Sequence, residues 1–288
     1  MKKQYYQIAG KTLQATGDRL CLTLAAMQSM EMFRVEQPCG EVYEFVETEQ
    51  EAPHFEKIIY RLKDLDTTFL FGITTDGYRL QQMMDDGQQT DLWTRHGSRQ
   101  MMFKGDHEYR MVRYALWTGY GIQGLHEGRL MLHSSCIVCH GQAVMFLGES
   151  GTGKSTHTRL WREHIPGSSL LNDDGPVVSV EADGSVWVSG SPWSGKTPCY
   201  RPERYPLKAC VRLSQAPKND ISRLTVLQAY AALHPSCPPA FAYDRRLYDL
   251  QSHILSEVLS AVPCYHLACL PDGDAARLSC QTVLDAGL

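Results

Sequence analysis

Residues 143–165 constrain this chain more than any other stretch. Ala143-Val144-Met145-Phe146-Leu147 is a short unbroken apolar run, the pattern of a strand buried on both faces. It leads into Gly148-Glu149-Ser150-Gly151-Thr152-Gly153-Lys154-Ser155, a loop of the G-x-x-x-x-G-K-[ST] form that cradles phosphates. Thr156–Ile165 then has helical character, and Pro166-Gly167 stops it. Strand, glycine turn and helix in that order predict α/β architecture. The residue types carry the chemistry. Gly148, Gly151 and Gly153 let the backbone turn and aim its N–H groups at phosphate oxygens. Lys154 reaches outer phosphates, and the Ser155 hydroxyl suits Mg²⁺. A helix opening at Lys154 adds the positive end of its dipole.

A length of 288 residues suggests two domains. The character of the chain changes near residue 122, giving a smaller α+β domain at 1–122 and a phosphate-binding domain at 123–288. The net charge is −4, which argues against nucleic acid or an anionic membrane as partner. No apolar run approaches a membrane span. Met1-Lys2-Lys3-Gln4-Tyr5-Tyr6-Gln7 lacks the apolar stretch of a signal peptide, so a cytoplasmic location is expected. There the ten cysteines would stay reduced. Cys136 and Cys139 form a C-x-x-C beside His133 and His140, without a second ligand pair. They read as buried thiols on opposite faces of a strand.

Within 1–122, Tyr5–Ile8, Glu41–Glu47 and Thr68–Thr74 have strand character. Asp76-Gly77 reads as a hairpin turn, and residues 107–118 as a helix. This part offers no catalytic motif and is expected to serve substrate recognition or oligomer contact. Further on, Arg129–Cys139 reads as one strand, turned by His140-Gly141 into the strand that feeds the glycine loop. Val177–Val180 and Ser185–Val188 form a hairpin through Ala182-Asp183-Gly184. Strands are expected at Leu207–Leu213 and Pro263–Leu270, with helices at Leu224–Leu233, Phe241–Val262 and Asp274–Leu284. The order predicts a mixed sheet.

Asp173 and Asp174 follow a short apolar strand after the loop helix. With that strand adjacent to the loop's own strand in one sheet, their ends would lie beside the phosphates, and one carboxylate can hold Mg²⁺, directly or through water. The other can accept a proton from an attacking hydroxyl. Asn172-Asp173-Asp174-Gly175-Pro176 is also good turn chemistry. His133 lies fifteen residues before Gly148. Hairpin geometry would bring it to the same sheet end, and a purely structural role stays equally open. Lys196, Arg201 and Arg204 are candidates for stabilising charge on a transferring phosphoryl group.

Residues 132–175 resemble the core of the HPr kinase/phosphorylase family and of its relatives, the ATP-dependent phosphoenolpyruvate carboxykinases. The HPr kinases place a histidine one hairpin before the loop and a double aspartate after it. The resemblance spans roughly residues 125–215 and implies a P-loop kinase domain with a mixed sheet of that type. It implies ATP bound along Gly148, Glu149, Ser150, Gly151, Thr152, Gly153, Lys154, Ser155 and Thr156. It implies Mg²⁺ held by Ser155 with Asp173 or Asp174, Asp173 as base, and His133 assisting at the acceptor. The Glu-x-Arg-Gly stretch of HPr kinases is absent, and Gly190–Lys196 stands in its region. The expected activity is therefore γ-phosphoryl transfer to a hydroxyl of a protein, peptide or small metabolite. A carboxykinase-like enzyme and an ATP-binding regulator without turnover are the alternatives. The family's ring-like assemblies imply a homo-oligomer.

Overall fold

The computed structural model describes residues 1–284 except Lys196. The chain divides into two compact units, residues 1–127 with 240–248, and residues 128–239 with 249–288. Both are built on mixed sheets, so the chain is α/β with large mixed sheets.

The first unit holds strands β1 (Lys3–Ile8), β2 (Lys11–Thr16), β3 (Arg34–Val35), β4 (Val42–Glu47), β5 (Lys57–Asp64), β6 (Thr67–Thr74), β7 (Gly77–Met84), β8 (Gln89–Arg95) and β9 (Gln100–Gly105). They form one sheet in the order β3-β1-β2-β4-β9-β8-β7-β6-β5. Helices α1 (Asp18–Ala26), α2 (Gln28–Glu31) and α3 (Tyr109–Leu125) belong to the same unit. Two sequence expectations shift here. The β6–β7 turn is Thr75-Asp76, and Gly77 already pairs with Thr74. Gly77 is required because a Cβ there would lie 1.9 Å from the Thr94 carbonyl oxygen of β8. The helix expected at 107–118 instead runs to Leu125, through Gly119, Gly121 and Gly124. A Cβ on Gly119 would meet Met101 Sδ at 2.6 Å. Close packing on the sheet thus overrides the poor helix propensity of glycine.

The second unit contains β10 (Arg129–Met131), β11 (Ser134–Cys139), β12 (Gln142–Leu147), β13 (Ser168–Asp174), β14 (Val177–Val180), β15 (Val186–Ser189), β16 (Arg204–Gln215), β17 (Asp220–Arg223) and β18 (Cys264–Cys269). Their order is β10-β14-β15-β16-β12-β11-β13, with β18 also on β16 and β17 on β18. Helices are α4 (Lys154–His164), α5 (Val226–Leu233), α6 (Arg245–Ala261) and α7 (Gly273–Leu284). Helix α6 begins in the residues grouped with the first unit. The apolar core lies where Ile137, Val144, Phe146 and Val211 meet Leu160 and Trp161 of α4 and Ala276 and Val283 of α7. Cys136 and Cys139 are both buried free thiols in β11.

The single strand expected at 129–139 is two. β10 pairs with β14, whereas β11 pairs with β12 and β13. The chain changes partner at Leu132-His133, where the His133 N–H donates to the Ser236 carbonyl at 2.7 Å. That break frees the His133 side chain from strand pairing at the end of the sheet that matters below.

Candidate active site

Sheet register builds the site. Arg212 of β16 lies beside Leu147 of β12, Leu147 opposite Ser134 of β11, and Ser134 opposite Asp174 of β13. β12 and β13 both run antiparallel to β11, so they end on the same side. The row therefore brings the start of the glycine loop, the residue before β11 and the tip of β13 together. Asp173 and Asp174 are not on a strand adjacent to β12, because β11 lies between them.

The loop leaves β12 at Gly148 and enters α4 at Lys154, with Gly153 as its N-cap. Gly151 and Gly153 have φ of 84° and 104°, a region that costs L-residues strain and glycine none. A Cβ at either position would meet nothing within 4 Å. Backbone conformation, not crowding, demands glycine there, and the loop face is open.

Lys154 Nζ donates to the Gly148 carbonyl at 2.7 Å and lies 2.9 Å from His133 Nε2 and 3.4 Å from the Glu149 carbonyl. His133 Nδ1 lies 2.8 Å from Asp174 Oδ1. A histidine that donates from Nδ1 to a carboxylate and accepts at Nε2 from an ammonium is the neutral Nδ1–H tautomer. Burial pushes the Lys154 ammonium below its ordinary pKa, opposed by Asp174 and Asp173 and reinforced by Arg212. The Ser155 hydroxyl donates to Asp173 Oδ1 at 3.1 Å.

Asp173 is buried, and its carbonyl accepts from the Gly195 N–H at 2.6 Å and the Ser194 hydroxyl at 3.1 Å. Asn172 supplies the turn chemistry, its Oδ1 accepting from the Gly175 N–H at 2.9 Å and its amide donating to the Ser191 carbonyl at 3.2 Å. Asp174 has φ 138°, a conformation that costs a non-glycine residue on the order of 1–3 kcal/mol and recurs at functional sites. His133, Ser150, Lys154, Ser155, Asp173 and Asp174 line one cavity of about 360 Å³, with Gly151, Gly153, Thr156 and Gly195.

Arg201 is not part of this group. Its guanidinium donates to the Leu170 carbonyl at 2.7 Å and the Ser169 hydroxyl at 2.9 Å, and pairs with Glu203. Ser169 and Leu170 lie at the start of β13, about 10 Å along the strand from the aspartates at its end. Arg204 pairs with Glu181 at 2.7 Å and sits 4.5 Å over the Trp187 ring. Lys196 lies outside the described residues. The positive group that the structure does bring to the loop is Arg212, 3.4 Å from Glu149. Its signal in the sequence is a charge inside the apolar run Ala209-Cys210-Val211-Arg212-Leu213. Gly195 has no signal in the sequence, because it reaches the site through long-range contacts of its segment with Asp173 and Asp174.

Among the described residues no three His, Cys, Asp or Glu side chains gather as a metal cluster. No helix among them is long and apolar enough to cross a membrane. No family model matches the chain, and no curated protein matches it. Among solved structures the chain is similar to the HPr(Ser) kinase/phosphatase from Coxiella burnetii, at 12% identity and a TM-score of 0.32, over 54% of this chain and 88% of that one.

Proposed function

We propose that the second unit is a Mg²⁺-dependent kinase that passes the γ-phosphoryl group of ATP to a hydroxyl acceptor. The observation that carries this reading is the continuous chain Asp174–His133–Lys154, set beside Ser155–Asp173 at the mouth of the glycine loop. Phosphates fit the loop. Gly151 and Gly153 leave open space, and the Lys154 ammonium rests on carbonyls and an imidazole that phosphate oxygens would replace. A hydroxyl and a carboxylate oxygen are hard donors suited to Mg²⁺, so Ser155 and Asp173 would hold it. When bound, Mg²⁺ neutralises phosphate charge.

The geometry favours a division of labour opposite to that expected for the aspartates. Asp173 accepts from the Ser155 hydroxyl and so serves the metal side. Asp174, paired with His133, serves the acceptor side. Once Lys154 turns to phosphate, His133 Nε2 has a free lone pair. The acceptor oxygen forms a bond to the γ-phosphorus as the bond from that phosphorus to the β–γ bridging oxygen breaks. The acceptor proton passes to His133 Nε2, and Asp174 steadies the resulting imidazolium. ADP and a phosphate ester leave.

The test uses γ-labelled ATP, Mg²⁺ and an extract of the source cell, with hydrolysis to water followed in parallel. Asp174→Asn should lower transfer by about a hundredfold or more while nucleotide binding persists. Asp173→Asn should instead abolish the Mg²⁺ dependence of nucleotide binding. Undiminished transfer by Asp174→Asn would sink the acceptor-side assignment.

A further inference from the structure

A second cavity of about 540 Å³ lies on the other side of the glycine loop. It shares Gly151, Gly153 and Thr156 with the phosphate-side cavity, so one extended ligand can reach both. Most of its wall is apolar: Leu160, Leu213, Ala216, Cys269, Leu270 and Pro271. The ends of β16 and β18 build that wall, with Gln215 in register with Cys269.

Two main-chain donors on this wall are already engaged. The Ala216 N–H donates to the Cys269 carbonyl at 3.1 Å, and the Leu270 N–H to Asn219 Oδ1 at 2.7 Å. The Gln215 side-chain amide donates to the Gly151 carbonyl at 3.3 Å. Pro271 has no N–H. Among the described residues no carboxylate lines the cavity, the acceptor that would pair at once with the N1–H and amino group of guanine. Selecting adenine requires a free N–H facing N1. Strong discrimination between ring systems of one shape comes from such directed pairs and not from apolar area.

We propose that this cavity receives the nucleobase of the donor nucleotide and holds it chiefly by apolar contact, so that the site accepts ATP and GTP alike. The inference rests on the reading of the glycine loop as a triphosphate site. The cavity lies within the usual range of about 300–1,000 Å³ for small-molecule sites. Gln215, by tying its side chain to Gly151, links the base wall to the phosphate loop.

Calorimetric titration of the full chain with ATP, GTP and inorganic tripolyphosphate, each with Mg²⁺, tests this. ATP and GTP should bind within about fivefold of each other, and tripolyphosphate about tenfold or more weakly, since it forfeits the apolar contact. Leu270→Ala trims the wall and Ala216→Trp fills the cavity. Both should move the ATP and GTP affinities toward that of tripolyphosphate. Tripolyphosphate binding by the same variants reports on the loop itself and separates loss of base contact from misfolding. A preference for ATP over GTP beyond about twentyfold would overturn the inference and leave the triphosphate reading intact. Equal binding of ATP and tripolyphosphate would do the same. Failure of all three to bind would overturn both.

Discussion

The two sheets place their charges differently. In the first, ion pairs lie between neighbouring strands and turns: Arg79 with Asp91, Lys63 with Asp85, Arg95 with Asp76. They brace antiparallel hairpins, whose tight connections leave little room for anything else. In the second, β12, β16 and β18 are parallel. Parallel strands need long crossovers, and these put helix starts and loops at the carboxyl ends of strands, where ligands of open α/β sheets bind. Lys154, Asp173, Asp174, His133 and Arg212 all collect at that end. Charge along a ladder stabilises a fold, whereas charge beyond the strand ends is available for chemistry.

The sharpest way to break this contrast is to neutralise one aspartate in each sheet. Asp174→Asn should cost about two orders of magnitude in phosphoryl transfer with little change in the melting of the second unit. Asp91→Asn should do the reverse. It removes the carboxylate beside the half-buried Arg79 guanidinium, whose Nη2 lies 2.8 Å from Asp91, and should cost the first unit about 1–3 kcal/mol in denaturant unfolding. Equal losses of transfer from both substitutions would remove the distinction.

A smaller effect should follow from His157 on α4. It is buried, within 3.0 Å of Ser279 Oγ, and its Nε2 accepts from Trp161 Nε1 at 3.2 Å. Burial depresses its pKa to about 4 from the ordinary 6.5. Between those values the unfolded chain binds the proton and the folded one does not. The stability of the second unit should therefore be full above about pH 6.5 and fall toward pH 4, by about 3 kcal/mol at most. His157→Gln should flatten that slope in urea titrations across the window. An unchanged slope would place the acid sensitivity elsewhere.

The smallest effect concerns Arg201. Because its guanidinium serves the start of β13, Arg201→Ala should leave phosphoryl transfer within about twofold and lower stability by about 1 kcal/mol. A hundredfold loss of transfer would restore the charge-stabilising role that the sequence suggested.

Much of the frame was legible from local pattern. The apolar run before Gly148, the helix after it, the hairpin through Ala182-Asp183-Gly184 and the C-terminal helix each follow from periodicity and turn chemistry, which act over a few residues. The glycine requirement at Gly151 and Gly153 is likewise local, since it lies in φ. Long-range pairing was not legible. Nothing in residues 1–122 announces that scattered short strands join into one sheet of nine. Nor does Gly119 announce that it is helical because Met101 packs against it.

The sequence by itself determined that a glycine-rich loop follows a buried strand and that two adjacent carboxylates stand at the end of a second one. Tertiary structure decided which groups meet. Register carried Arg212 to the loop and held Arg201 at the far end of β13. The change of partner at His133 released that side chain to bridge Lys154 and Asp174. The physical reason is that a strand's side chains repeat every two residues whatever their neighbours are, whereas which strand lies beside which is settled by burial of the whole sheet.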